Sequence, residues 1–165
     1  MKIKNLIIAM LTLISAAAEA QSFNDFFTDK TLRVNFILGG NANSQNIYIS
    51  NMNSIDGWYG RKNHLAEFPV EGNTQFELKD KKTGKVIYRN SLSTLFQEWQ
   101  TYPEANTSNR SFENVILMPM PKDTATLTIS LISNRRQIAG SITETISPTD
   151  ILIRKTGEEP APYEV

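Results

Sequence analysis

Apolar and polar residues alternate along Thr31-Leu32-Arg33-Val34-Asn35-Phe36 and continue into Ile37-Leu38 before Gly39-Gly40-Asn41. A period of two is that of a strand with one buried face, and the glycines and asparagine supply a turn. Asn46–Ile49 is a shorter candidate strand. Thr74–Lys79 and Lys85–Arg89 flank the polar loop Asp80-Lys81-Lys82-Thr83-Gly84, which predicts a β-hairpin with Gly84 free to take a positive φ. Phe112–Met118, Thr124–Ser133, Gln137–Ile146 and Asp150–Lys155 repeat the pattern, with Leu127, Ile129 and Leu131 on one face.

One segment has a different rhythm. In Thr94–Tyr102 the residues Leu95, Trp99 and Tyr102 recur at helical spacing, Thr94 and Gln97 stand at capping-box distance, and Pro103 follows. This predicts one short helix whose Leu95, Phe96 and Trp99 plug an end of the fold, because two turns of helix hold in water only when their apolar face is buried. About eight short strands with little helix to cover a sheet face predict an all-β, antiparallel β-sandwich. The pattern leaves jelly-roll and immunoglobulin-like topologies both open.

The chain begins with the parts of an export signal: Lys2 and Lys4, the apolar run Leu6–Leu13, and Ala18-Glu19-Ala20 at an expected cut. The stretch Leu6–Ala18 is 13 residues, short of the roughly 20 that a membrane-spanning helix needs. The expectation is a signal peptide over 1–20, a sandwich domain over 21–155 and a linker over 156–165, with the mature protein secreted or periplasmic. There is no cysteine, so no disulfide framework or thiolate metal site is available, and an exported domain without bridges points to a bacterial source.

Lys plus Arg equal Asp plus Glu at 17 each, and the basic pairs are scattered. Nucleic acid is not an expected partner, since counterion release needs concentrated positive charge. His64 is the one histidine, which excludes H-E-x-x-H and other multi-imidazole zinc sites. No catalytic residue, metal site or cofactor is expected. The residues that stand out are aromatic: Gly57-Trp58-Tyr59-Gly60-Arg61 and the Phe96, Trp99, Tyr102 group. Trp58, Tyr59 and Arg61 are the candidate partner-binding residues, because Trp, Tyr and Arg are over-represented at docking faces. The alternative, which the residues favour, is that both tryptophans fill the core or its rim.

Six strings carry a resemblance: Thr31–Val34, Gly57–Arg61, Tyr88–Ser91, Leu95–Gln100, Phe112–Asn114 and Leu117–Lys122. In order and spacing, from about Phe23 to Tyr163, they resemble the N-terminal, non-catalytic domain of the bacterial IgA-peptidase family of zinc metallopeptidases. The resemblance implies a β-sandwich that follows a signal peptide and precedes a zinc-binding catalytic domain, its expected partner. No zinc ligand of that family falls within these residues. The chain is then either a piece of a longer protease or a product without the protease half, and the Pro160-Ala161-Pro162 spacer favours the first. The functional expectation is an accessory domain that positions the protease or its substrate. The alternative is an independent carbohydrate- or protein-binding module.

Overall fold

Two four-stranded sheets are built from eight strands in the computed structural model, which describes residues 22–156. The expected signal segment and all of the expected linker except Thr156 lie outside the described residues. The strands are β1 (Phe27–Asn41), β2 (Ser44–Asp56), β3 (Thr74–Asp80), β4 (Val86–Leu92), β5 (Arg110–Pro121), β6 (Ala125–Ile132), β7 (Ile138–Ile146) and β8 (Ile153–Lys155). One sheet runs β5-β1-β2-β8 and the other β4-β3-β6-β7. The all-β sandwich is present, and the strand order is now fixed.

The alternation of apolar residues decides which face is buried. Leu32, Val34, Phe36 and Leu38 of β1 face Phe76 and Leu78 of β3 and Leu127, Ile129 and Leu131 of β6 across a common core. β2 is much longer than Asn46–Ile49 because the register shifts opposite Asn35 and Phe36: Asn35 pairs with Asn51 and Phe36 with Ile49, leaving Ser50 as an extra residue. The bulge moves the inward positions from Met52 to Ile49 and Ile47, so a simple period of two is lost at that point.

Three expectations are corrected. The expected antiparallel arrangement has one exception, β8, which lies parallel to β2 over Met52–Ser54. There are three short helical segments among the described residues, not one: α1 (Phe23–Phe26), α2 (Leu95–Trp99) and a 3-10 turn over Pro103–Asn106. Leu95 does not join the plug, being 68% exposed while Phe96 and Trp99 are buried. A five-residue helix presents only a narrow stripe to the core, and that stripe is taken by positions three apart.

The capping box does not form either. Asn73 Oδ1 instead accepts from the Thr94 backbone N–H at 2.9 Å, and Gln97 Nε2 donates to Ile132 O at 2.9 Å. Tertiary partners outcompete the local cap. Gln100 Nε2 also donates to Asn41 O at 2.7 Å, so α2 is tied to the ends of both sheets.

Two aromatic clusters occupy opposite ends of β1. At the far end Phe96, Trp99 and Phe112 pack with ring centroids 5.7–5.9 Å apart. At the near end Phe27 and Trp58 each meet Tyr88 edge-on, at 6.3 and 6.0 Å. Both spacings are those of favourable ring pairs.

The sheet edges are blunted in different ways. Pro119 and Pro121 interrupt donors on β5, and β8 is only three residues long. The 57–73 connection lies along β4, where Arg89 N donates to Leu65 O at 2.7 Å. On β7, Glu144 is paired with buried Leu127 yet remains exposed, placing a charge at an inward-facing edge position.

Trp99→Ala is expected to lower unfolding stability by about 3 kcal/mol or more, as for emptying an aromatic side chain from a core. Chemical denaturation monitored by far-UV circular dichroism measures it, and an unchanged midpoint contradicts the plug.

Candidate functional site

The connection from β2 to β3 spans residues 57–73, long for a loop without strand or helix of its own and of a length usually associated with function. Gly57 begins it at φ 82°, a conformation that suits glycine. Its carbonyl accepts from Thr31 Oγ1 at 2.6 Å, and its N–H donates to Asp29 O at 3.1 Å, which fixes the turn to the start of β1. Gly60 lies directly on the Trp58 indole: a Cβ there would sit 2.2 Å from the ring, so no other residue fits without moving it.

The three sequence-selected residues have three different environments. Trp58 is only 8% exposed; its ring packs edge-on against Tyr88, and its Nε1 donates to Arg61 O at 3.0 Å. Tyr59, its neighbour, is 94% exposed. Arg61 turns back into the loop, where its Nη atoms donate to the carbonyls of His64, Leu65, Glu67 and Arg89. The guanidinium carbon lies 5.3 Å from the centre of the Tyr88 ring, a cation–π distance. Nε of Arg61 is buried and has no acceptor among the described residues. Arg61 thus acts as a clamp that gathers backbone carbonyls from the loop and from β4.

A second clamp reinforces the first. Arg89 pairs with Glu77 at 2.5 Å, its Nη1 donates to Ala66 O at 3.4 Å, and its guanidinium lies 5.5 Å from the Phe68 ring centre. Lys79 also reaches Glu77, at 2.9 Å. Burial alone would raise the Glu77 pKa, but hydrogen bonds and charge from Lys79 and Arg89 outweigh it and hold the carboxyl below its ordinary value.

Between the loop and the strands lies an open hollow of about 480 Å³, lined by Trp58, Tyr59, Arg61, Thr31, Asn90 and Leu117 among others. Asn90 Nδ2 donates to the Tyr88 hydroxyl at 3.2 Å. Tyr59 and Leu117, which is half exposed, give the hollow an aromatic and aliphatic rim. Thr31–Val34, Gly57–Arg61, Tyr88–Ser91 and Leu117–Lys122 all contribute to this one place, while Leu95–Gln100 and Phe112–Asn114 meet at the opposite plug. Sequence reading singled out the loop but not Tyr88, Arg89, Asn90 or Leu117 as its partners. Those strings signalled them only through the resemblance.

Among the described residues no three His, Cys, Asp or Glu side chains gather as a metal site. His64 is exposed, at φ 51°, with Nδ1 3.3 Å from Glu67 Oε1. No helix of the described residues is long and apolar enough to cross a membrane.

Residues 22–143 match the family model described as Peptidase M64 N-terminus. The chain belongs to that family. It carries the N-terminal domain of the IgA-peptidase, or M64, family, in agreement with the six strings. No curated protein matches the chain.

Two outcomes follow from the geometry of this M64 N-terminal domain. Trp58→Ala is expected to destabilise it by about 3 kcal/mol, while Tyr59→Ala leaves the denaturation midpoint within about 0.5 kcal/mol of the parent. Equal midpoints for the two variants would contradict the division of labour between them.

The Glu77 clamp gives a pH dependence. Because the folded pKa is depressed, the stabilisation is fully present above the ordinary glutamate pKa and is lost as pH falls through the lower folded value. Amide exchange at Arg89, whose N–H donates to Leu65 O, corrected for intrinsic rates, is expected to accelerate as pH falls below about 4, and Glu77→Gln is expected to remove that dependence.

Proposed function

We propose that this chain is the non-catalytic accessory domain of an exported zinc metallopeptidase, and that it positions the catalytic domain or the substrate. The observation that carries the reading is the M64 N-terminal match over residues 22–143. The export signal in the sequence supports a secreted or periplasmic location. One histidine and no cysteine in the chain support the assignment of hydrolysis to a separate domain, since an open catalytic zinc site uses several nitrogen, sulfur or carboxylate ligands in one place.

The rim of the Trp58 hollow is the docking face in this reading. Trp58 and Arg61 hold the loop rigid, which limits the entropy lost on association, and Tyr59 and Leu117 present apolar area to the partner. The isolated chain is expected to cleave neither immunoglobulin nor casein with added zinc. Tyr59→Ala is expected to weaken association with a separately expressed catalytic half by upwards of about 1 kcal/mol. Calorimetry reads the association. Zinc-dependent cleavage by the homogeneous chain, or association insensitive to Tyr59, contradicts the corresponding part of the proposal.

A further inference from the structure

At the end of the sandwich opposite the Trp58 loop lies a second groove, about 460 Å³ in volume, between the β1–β2 turn, α2 and the β6–β7 turn. Its lining is rich in amides: Gln45, Gln97, Gln100, Asn134 and Gln137. Among the described residues Arg135 is the only charged one that lines it, and no carboxylate does. Arg135 has no ion pair among the described residues; neighbouring Arg136 instead faces Glu71 at 3.8 Å.

We propose that this groove binds an extended, acidic stretch of polypeptide, which deepens the accessory-domain reading and rests on it for the identification of that polypeptide as substrate. Three independent features favour such an occupant over other ligands. The first is preorganised hydrogen bonding. The Nε2 groups of Gln97 and Gln100 are already committed to Ile132 O and Asn41 O, which fixes both side chains and leaves each Oε1 available to accept from a peptide N–H. The side-chain amides of Gln45, Asn134 and Gln137 have no partner among the described residues and can both donate and accept, matching the alternating groups of an extended backbone.

The second feature is strand-edge geometry. β8 pairs with β2 only over Met52–Ser54, so among the described residues Ser44–Asn51 has no strand on that side. β7 is the edge of the other sheet, and its first residues, Ile138 and Ala139, line the groove. The two edges meet at Gly140, where an added Cβ would lie 3.5 Å from Gln45 O, so the open stretch of β7 is Ile138–Ala139. Glu144 guards the far end of β7, but no charge or proline stands at Ile138 or Ala139. A peptide strand laid against this end gains main-chain hydrogen bonds, and Ile138, 68% exposed, gives an apolar contact for one of its side chains. The third feature is charge, since an arginine that among the described residues has no ion pair, in a groove they line without a carboxylate, favours an acidic segment.

The test uses the whole chain and a capped eight-residue peptide alternating glutamate with threonine and valine, titrated by NMR. Saturable shifts at the side-chain amides of Gln45, Gln97 and Gln100 and at the backbone of Ile138 and Ala139 are expected. Replacing every glutamate by lysine, or the central residues by proline, is expected to abolish binding. Arg135→Glu, an exposed change that removes no observed contact, is expected to weaken it roughly fivefold or more. Absence of saturation, equal binding of the lysine or proline peptide, shifts centred on Tyr59 and Leu117, or indifference to Arg135→Glu would each overturn the proposal. If the peptide fails while the catalytic half still associates, the groove falls and the accessory-domain reading stands. If the peptide binds as expected while association fails, the groove stands and that reading falls.

Discussion

A sandwich of two small sheets buries its inner faces but leaves its ends open, and water reaches the core there unless large side chains fill the gap. In this chain Tyr88 is the ring on which one closure depends. It is almost wholly buried, takes Phe27 and Trp58 edge-on, and lies under the Arg61 guanidinium. Without that ring the indole would lose its packing partner, and the loop clamp would lose the surface beneath it. The opposite end is closed more locally by Phe96, Trp99 and Phe112, with two glutamines anchoring the helix to both sheets.

The two closures leave different surfaces behind. Around Tyr88 the polar groups of Arg61 and Trp58 are largely used up inside the loop, so what remains for a partner is the exposed ring of Tyr59 and the side chain of Leu117. Around Trp99 the apolar groups are consumed in the plug, and amides and an arginine remain. The domain thus has an apolar rim at one end and a polar groove at the other, the two surfaces on which the proposed docking and peptide binding rest. Both are tied by side-chain hydrogen bonds to backbone carbonyls, from Arg61 at one end and from Gln97 and Gln100 at the other.

The clamps also explain how an extended connection stays ordered. Residues 57–73 contain no strand, yet their carbonyls at 64, 65, 66 and 67 are each met by a donor from Arg61 or Arg89. Glu77 holds Arg89 in place from the neighbouring strand. The connection thereby covers the β4 edge, doing for that sheet what prolines do for β5.

The sequence by itself determined the sandwich, because alternation in β1, β3 and β6 is a local property of a half-buried strand, and the polar Asp80–Gly84 loop marks its hairpin directly. It also marked a short helix plugging one end, but the helical spacing falls at Leu95, Trp99 and Tyr102, and only packing shows that Phe96 and Trp99 are the buried pair while Leu95 faces outward. Tertiary structure alone decided the rest. The Ser50 bulge shifts the phase of β2, the parallel pairing of β8 depends on a strand far away in sequence, and Asn73 displaces the cap expected from Gln97. In the loop the sequence marked three residues as equals, whereas packing against Tyr88 buried Trp58, carbonyl geometry consumed Arg61 and the surface received only Tyr59. The groove beside Gln97 and Gln100 was illegible in the sequence for the same reason: its amides come from three segments that meet only when both sheets are in place.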